Sequence, residues 1–518
     1  MSKPNPQAGV EVSYNSVPIV VARSVALTRP LLPAGAPAAA AGVSRGRDCG
    51  WLQEEASAAR SASGSLEEAR DAIAGGELDA AIALLLRLRS EEPANARVRL
   101  WLGHAYRLAG DPAAAGAEYL ECSRLDPDNA EVSMALGELA EQSGDMQAAT
   151  EAYRRALALD PDYQQAYLQL ARTQMAMNRF ADAVDSFQGY LQLRPDDGSV
   201  LDLLGYAAYM HQSFEAAIDA FETALSLDPN DLEAHHGLGV VLADRPAEHD
   251  RALVHLRAAL PMDGGDADAY YLIGRILADR GQLQEARESL QESTRLDPEL
   301  ADAYYRLAQV AARLGDRQAS LAAQQRFQEL AQRSDAAEAR EKRVKTLKNA
   351  VRADLAAGHE RAAETSLERL LQADASDPDA WTMAAKLRFS AGDAGAALEA
   401  LQRALSHAPG HWEALYLRGL ILYRGGKTGA ARTALEASLR SHPLFADSHA
   451  MLGNVLLAQD QAAAAVEAYL RALAIDPHNA GYYLNLAAAY RHLGLADKET
   501  ESMRSYQRLQ KRQQPSRR

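Results

Sequence analysis

Four histidines in one short stretch form the densest group of potential metal ligands in the sequence. They are His235, His236, His249 and His255. Imidazole nitrogens bind zinc well, but a shared ion requires side chains that converge on one point. His235 and His236 are adjacent in a segment with a helical pattern, so their side chains diverge. We therefore interpret the four as surface and packing residues and predict no metal site.

Other catalytic patterns are missing from the sequence. It contains no HExxH, no pair of CxxC motifs, no P-loop and no nucleophile elbow. Gly237-x-Gly239 does not follow a strand pattern, as a phosphate-binding loop would. Cys49 and Cys122 are too few for a disulfide framework or a multi-cysteine metal site, and we expect Cys122 to be a small buried residue. We predict no catalytic residue, no cofactor and no enzyme activity.

Charge and hydropathy narrow the classes of partner. The 518 residues carry a net charge of −15, whereas a general nucleic-acid binder needs a basic surface. No apolar run approaches the roughly 20 residues that span a bilayer. The first residues lack the charged and apolar regions of a signal peptide. We expect no nucleic acid and no membrane span, and a cytoplasmic location in preference to a periplasmic one.

Proline recurs at a constant interval along the chain. A step of 34 residues separates the successive members of two series, Pro93, Pro127, Pro161, Pro195 and Pro229, and then Pro409, Pro443 and Pro477. Leu102-Gly103, Ala115 and Tyr119 precede Pro127 at offsets that other units repeat. One active site gives no reason for such repetition, whereas a stack of similar building units does.

By this period and pattern the chain resembles the tetratricopeptide repeat (TPR) family, with about thirteen repeats of bacterial type. The resemblance implies an all-α fold, a right-handed superhelical α-solenoid of stacked helix-turn-helix repeats. Each first helix carries Gly or Ala at its eighth position, where we expect a neighbouring helix to approach closely. An aromatic residue of the second helix can fill that gap. Proline ends the second helix, and the Asp before it and the polar residues after it can cap the next one.

Departures from the period predict the domain organisation. Residues 1–60 are rich in Pro, Ala and Gly and are predicted to be disordered. An N-terminal block of about eight repeats covers 61–334, and a C-terminal block of about five covers 344–513. Between them, at 335–343, the phase slips in a charged segment that we expect to be a continuous, solvated helix. Residues 514–518 form a basic tail.

The resemblance also implies a concave binding face, lined by positions 2, 5, 9 and 12 of each first helix. In the third repeat these positions are acidic, with Glu131, Glu138 and Glu141. The candidate peptide-binding residues follow in an aromatic and then a basic section: Tyr206, Tyr209, His236, Tyr271, Arg275, Tyr305, Lys345, Lys348, Arg352 and Lys386. Tyrosines suit the anchoring of an extended peptide, and the basic section suits carboxylates or phosphates.

These features favour a non-catalytic scaffold that binds one or more proteins or peptides along the concave face. Two alternatives stay open. The chain can be the regulatory or substrate-recruiting subunit of a separately encoded or truncated enzyme of sulfotransferase, glycosyltransferase or hydroxylase type. It can also be an assembly factor for an exported polymer or pilus. The sequence does not identify the partner or the oligomeric state.

Overall fold

The computed structural model describes residues 66–260 and 265–513. Within these residues all regular structure is helical, with 25 α-helices and no strand. The predicted disordered segment 1–60 and the tail 514–518 lie outside the described residues.

The helices follow one another through short turns, and their bounds are as follows. The first eight are α1 (66–74), α2 (Leu78–Glu91), α3 (Ala96–Leu108), α4 (Pro112–Leu125), α5 (Ala130–Gln142), α6 (Met146–Leu159), α7 (Gln164–Ala176) and α8 (Phe180–Leu193). The next eight are α9 (Gly198–Met210), α10 (Phe214–Leu227), α11 (Leu232–Ala243), α12 (His249–Ala259), α13 (Ala267–Asp279), α14 (Leu283–Leu296), α15 (Ala301–Arg313) and α16 (Arg317–Ala356), with a 3₁₀ turn at Pro246–Glu248. The last nine are α17 (Glu360–Ala373), α18 (Pro378–Ser390), α19 (Ala394–His407), α20 (Trp412–Arg424), α21 (Thr428–Ser441), α22 (Ala446–Ala458), α23 (Ala462–Ile475), α24 (Ala480–His492) and α25 (Ala496–Gln513).

Within each of the two units described below, consecutive helices pack in pairs, and neighbouring pairs pack on one another. The predicted all-α fold of stacked helix-turn-helix repeats is confirmed. The described chain divides into two compact units. Unit 1 is residues 198–334, and unit 2 combines 66–197 with 335–513. The division into blocks of eight and five repeats concerns the phase of the sequence and stays a prediction.

A single helix of 40 residues, α16, crosses the phase break. Its last turns carry Val344, Leu347 and Val351, which pack with α17 as the first helix of a repeat does. Residues 332–343, in the middle of α16, are exposed. One helix therefore provides the second half of one repeat and the first half of the next. No helix in the described part of the chain is both long and apolar enough to cross a membrane.

In several repeats a buried aromatic ring or leucine side chain lies against a glycine, which has no side chain. A Cβ atom placed on Gly137 would come within 2.4 Å of Cε1 of Tyr153. The Gly103–Tyr119 pair has the same distance. Both tyrosine rings are fully buried, so neither can move aside. This arrangement confirms the expected close approach at the eighth position of the first helix.

The turn inside most repeats contains a left-handed residue, whereas the connection between α11 and α12 has a 3₁₀ turn instead. Positive φ angles recur at Gly76, Gly110, Gly144, Gly281, Gly315, Gly358, Gly392, Gly426 and Gly494. The equivalent position is occupied by Asn178 (φ 57°), Gln212 (φ 63°) and Asp460 (φ 59°) in three repeats. Asn and Asp tolerate this conformation better than Gln, so Gln212 carries the most backbone strain of the three.

The turn between repeats corrects one expectation about capping. The Asp before the proline does not cap the next helix. Asp160 instead accepts a hydrogen bond from the amide of Asp162 at 3.0 Å and closes the turn around Pro161. In several repeats a polar residue two positions after the proline caps the helix, as expected, and Asn129 does so for the amide of Val132. The Asp side chain reaches only the nearest free amide, because the proline ring fixes the chain direction.

Gly137→Ala tests the buried contact between the glycine and the ring. Replacing glycine by alanine inside a helix normally stabilises it by up to ~1 kcal/mol. Here the new methyl group would overlap Tyr153, so we expect the free energy of unfolding to fall by ~1–3 kcal/mol, measured in urea. Gly198→Ala is the control, since nothing lies within 4 Å of its Cβ position. Equal effects in the two variants would contradict the proposed overlap.

Gln212→Gly tests the strained turn. Glycine adopts a positive φ without steric cost, so we expect the variant to be more stable by ~0.5–1 kcal/mol. Thermal and urea unfolding provide the measurement. Asn178→Gly is the matched control, and its gain is expected to be smaller because asparagine already tolerates the conformation. A larger gain at Asn178 than at Gln212 would refute the assignment of strain.

Candidate functional site

The aromatic section of the predicted binding face lies in unit 1, on α9, α11, α13 and α15. Tyr206 is half-buried and Tyr305 is 37% exposed. Tyr209 and Tyr271 are only 7% and 8% exposed. The four tyrosines therefore differ in the surface that they offer to a ligand, and Tyr206 and Tyr305 offer most of it.

Contacts with neighbouring aromatic rings hold two of these tyrosines in place. Tyr209 packs against Phe214 with ring centroids 5.9 Å apart, and burial raises the pKa of its hydroxyl to about 12. Tyr305 packs against Phe327 of α16 at 5.2 Å, which orients the exposed ring. An oriented ring loses little entropy when a peptide binds to it.

His236 is held by a carboxylate of the next repeat. Its Nδ1 lies 2.7 Å from Oδ2 of Asp266. Burial disfavours the charged imidazolium, but the hydrogen bond and charge of Asp266 outweigh burial and raise the pKa of His236. The other ring nitrogen is buried and has no hydrogen-bond partner. His236 is therefore a link between repeats, and its second ring nitrogen is buried away from the surface that a ligand could reach.

The charged candidates are largely paired between neighbouring repeats. Arg275 contacts Asp244 at 2.7 Å. In unit 2, Lys348 lies 2.7 Å from Asp377 and 2.9 Å from Asp379. Burial lowers the pKa of Lys348, but hydrogen bonds to both carboxylates outweigh this and raise it.

Lys386 is paired with Glu413 of the following repeat. Lys345 and Arg352, on α16, are exposed. The prediction that the basic section holds carboxylates or phosphates therefore depends mainly on Lys345 and Arg352, because the other two cations already have carboxylate partners.

The acidic side chains of the third repeat are also engaged. Glu131 lies 3.6 Å from His104, and Glu138 lies 3.7 Å from Arg107. Glu141 accepts a hydrogen bond from the buried Tyr153 at 2.8 Å. Glu131 and Glu138 thus join one repeat to the next, whereas Glu141 links the two helices of its own repeat.

The structure also shows a group of three neighbouring carboxylates in unit 1, which the sequence analysis missed. Asp202 of α9 is near Asp231 and Glu233 at the start of α11. Burial, the two neighbouring charges and a hydrogen bond with Asp231 raise the pKa of Asp202 to about 8. Its Oδ1 atom is buried and has no hydrogen-bond partner. The sequence contained a signal for this group. Asp202 is at position 5 of one first helix, and Glu233 is at position 2 of the first helix of the next repeat.

The histidine group does not converge. The Nδ1 atoms of His235 and His255 lie 2.9 Å apart, whereas His236 turns to Asp266. Within residues 66–260 and 265–513, no group of three or more His, Cys, Asp or Glu side chains has the arrangement of a metal site. Cys122 is buried, as expected. Burial raises the pKa of its thiol to about 12, and Sγ donates to the carbonyl of Ala96 at 3.0 Å.

Comparison with family models identifies the repeats. The model described as the cytochrome c-type biogenesis protein H TPR domain matches residues 122–235. Models of the tetratricopeptide repeat match 72–139, 301–333, 382–444, 422–480 and 450–514, and a TPR repeat model matches 274–315. The chain belongs to the tetratricopeptide repeat family. No curated protein matches the sequence of this TPR protein.

Solved structures of other TPR proteins are similar to parts of this chain. MamA from Desulfovibrio magneticus RS-1 is 24% identical, covering 33% of this chain and 97% of MamA, with a TM-score of 0.31. YrrB, described as a TPR protein with an unusual peptide-binding site, is 24% identical, covering 36% and 96%, with a TM-score of 0.33. A chain of Naa15/Naa10 bound to HypK-THB is 19% identical, covering 85% and 68%, with a TM-score of 0.38.

Asp202→Asn tests the carboxylate arrangement through its pH dependence. The folded protein keeps the proton of Asp202 up to about pH 8, while the unfolded chain releases it near pH 4. Unfolding therefore releases a proton between these values, and the parent loses stability as the pH rises. Asparagine does not titrate, so the variant should gain stability relative to the parent, on the order of 2–4 kcal/mol at pH 9 and near zero at pH 4.

The measurement is urea unfolding at both pH values. Asp219→Asn, on the exposed surface of α10, is the control and should show no such dependence. A gain that is the same at pH 4 and pH 9 would contradict the raised pKa.

Proposed function

We propose that this TPR protein is a non-catalytic scaffold that binds extended segments of partner proteins on the first-helix face of unit 1. We use this name for the surface of α9, α11, α13 and α15 that carries Tyr206 and Tyr305. The observation that supports the proposal most is that Tyr206 is partly exposed and Tyr305 is 37% exposed, whereas Tyr209 and Tyr271 are buried. Tyrosine is among the residues that most often dominate binding energy at protein interfaces.

The pairing of charges supports the same conclusion. His236 and Arg275 are held by Asp266 and Asp244, which stiffens the first-helix face before a ligand arrives. A rigid face loses little entropy on binding. Recognition then depends on aromatic contacts and on hydrogen bonds to the tyrosine hydroxyls, as in binding sites for extended peptides.

The test compares the affinity of the parent chain for a partner protein with that of the double variant Tyr206→Ala/Tyr305→Ala. A protein captured by the parent chain is identified and purified, and its dissociation constant is measured by calorimetry. We expect at least a tenfold weakening, about 1.4 kcal/mol, because two anchors are lost. Tyr270→Ala/Tyr304→Ala is the matched control, since these tyrosines adjoin Tyr271 and Tyr305 in sequence but lie near Arg295 and Arg326 of the second helices.

The control double variant should keep the parent's affinity. If both double variants weaken binding equally, or neither does, the first-helix face of unit 1 is not the binding surface. The proposed location is the cytoplasm, which fractionation of cells would test.

A second role is favoured by one specific observation, the match of residues 122–235 to the TPR domain of the cytochrome c-type biogenesis protein H. In this role the scaffold would act in the biogenesis of c-type cytochromes and would have a periplasmic location. If this role holds, a strain that lacks the gene for this protein should contain less c-type cytochrome. Haem staining of its proteins after gel electrophoresis would measure that decrease. The enzyme-subunit and polymer-assembly alternatives stay predictions.

A further inference from the structure

The turn between α21 and α22 differs from the equivalent turns of other repeats. After the proline, the other turns of the series place a small or polar residue: Ala94, Asp128, Asp162, Asp196, Asn230, Glu299, Gly410 and His478. This turn instead reads His442-Pro443-Leu444-Phe445, and we call it the HPLF turn. A leucine in such a turn would be exposed unless another element covers it.

Helix α4 also differs from the equivalent helices of other repeats, at a position that faces the HPLF turn. The equivalent positions of other second helices carry a larger side chain, namely Ile82, Thr150, Val184 and Ile218, whereas α4 has Gly116. A Cβ atom at Gly116 would come within 3.1 Å of Cβ of Pro443 and 3.0 Å of Cδ2 of Leu139. The glycine therefore leaves the space that the HPLF turn occupies.

The two departures meet within unit 2. Helix α4 lies against α21 and α23 in addition to its own neighbours. It has seven buried residues, whereas α6 and α8 have four each. Leu444 packs against two hydrophobic clusters of the N-terminal repeats, one containing Tyr119 and the other Tyr153. The contact joins residues that are far apart in the sequence and belong to repeats that are not neighbours in the chain.

The HPLF turn is held in shape by its own repeats. The ring of His442 stacks on Trp412 at 4.7 Å, and Phe445 packs on Trp412 at 4.6 Å. His449 is 2% exposed, and its Nε2 donates to the carbonyl of Pro443 at 2.8 Å. The turn is therefore preformed for docking, which lowers the entropy lost on contact.

Two open clefts lie between α4 and the helices of the C-terminal repeats. One of about 450 Å³ is lined by Ala113 and Ala117 of α4 and by Arg432 and Arg471 of the facing helices. The other, of about 370 Å³, includes Arg124 of α4. At the edge, Nε2 of His442 is 3.9 Å from Oδ2 of Asp145. Open space thus interrupts the packing of α4 against these helices, unlike the continuous packing between neighbouring repeats.

We propose that the HPLF turn is an intramolecular latch, which docks on α4 beside Gly116 and can release without unfolding of the repeats. When it is docked, it holds α4 against α21 and α23. When it is released, it uncovers Leu444 and the surface of α4 on which Leu444 rests. This proposal is independent of the peptide-binding role of unit 1.

The first test is a covalent bond across the closed latch. Gly116→Cys/Pro443→Cys is made in the full chain with Cys49→Ser and Cys122→Ala. The short distance between the two Cβ positions favours a disulfide after a small shift. We expect nearly complete cross-linking on mild oxidation, seen as a faster band on a non-reducing gel, and none in either single-cysteine chain. Absence of the cross-link in the double variant would overturn the proposed docking.

The second test follows release by single-molecule energy transfer. Dyes are placed at Asp128→Cys and Gly429→Cys, both exposed sites in unit 2, in the same cysteine-free background. Leu444→Asp would place a charge in an apolar contact, and Gly116→Val would fill the space with a side chain that other repeats carry. Each variant should raise the ratio of open to closed molecules roughly tenfold or more.

His478→Asp, at the equivalent position of the next turn, is the matched control and should leave the ratio unchanged. Circular dichroism establishes whether the variants keep their helices. A shift in energy transfer with full helicity supports the latch. An unchanged ratio in both variants, or a shift that occurs only with loss of helicity, would overturn it.

Discussion

The fit between a side-chain-free position and a buried ring determines how the helices of this protein stack. Tyr119 and Tyr153 occupy the space that Gly103 and Gly137 leave, and a single methyl group at either glycine would close it. Such packing sets the distance between the two helices of a repeat. Because each repeat contacts mainly its neighbours, small errors at one site would propagate into the next interface. The position of every residue on the first-helix face depends on this packing.

Polar side chains add a second set of links between repeats. Lys348 with Asp377, Arg275 with Asp244 and His236 with Asp266 each join side chains from neighbouring repeats. Exposed pairs of this kind contribute little stability, but partly buried ones fix side-chain positions. As a result, charges that resemble ligand-binding groups in the sequence serve largely as structural contacts. The surface left for recognition is smaller and more aromatic than the charge pattern suggests.

Much of the fold could be predicted from the sequence, because its determinants are local and periodic. The spacing of prolines placed the repeats, and the small residues and aromatic rings predicted the packing between their helices. Burial of Cys122 followed from its place in the pattern. The repeat pattern predicted less about the candidate site. Tyr209 and Tyr271 occupy the expected positions but are buried, and Tyr209 packs against Phe214 of the next helix.

The sequence by itself determined which helices pair, where they end and which positions must be small, because each of these properties depends on residues within one repeat or the next. Only the tertiary structure decided which charges are already paired and which rings stay exposed. It also brought Pro443 and Leu444 to Gly116. A 34-residue period constrains contacts between neighbours, whereas a contact between distant repeats depends on how small rotations accumulate along the stack. No local pattern encodes that sum.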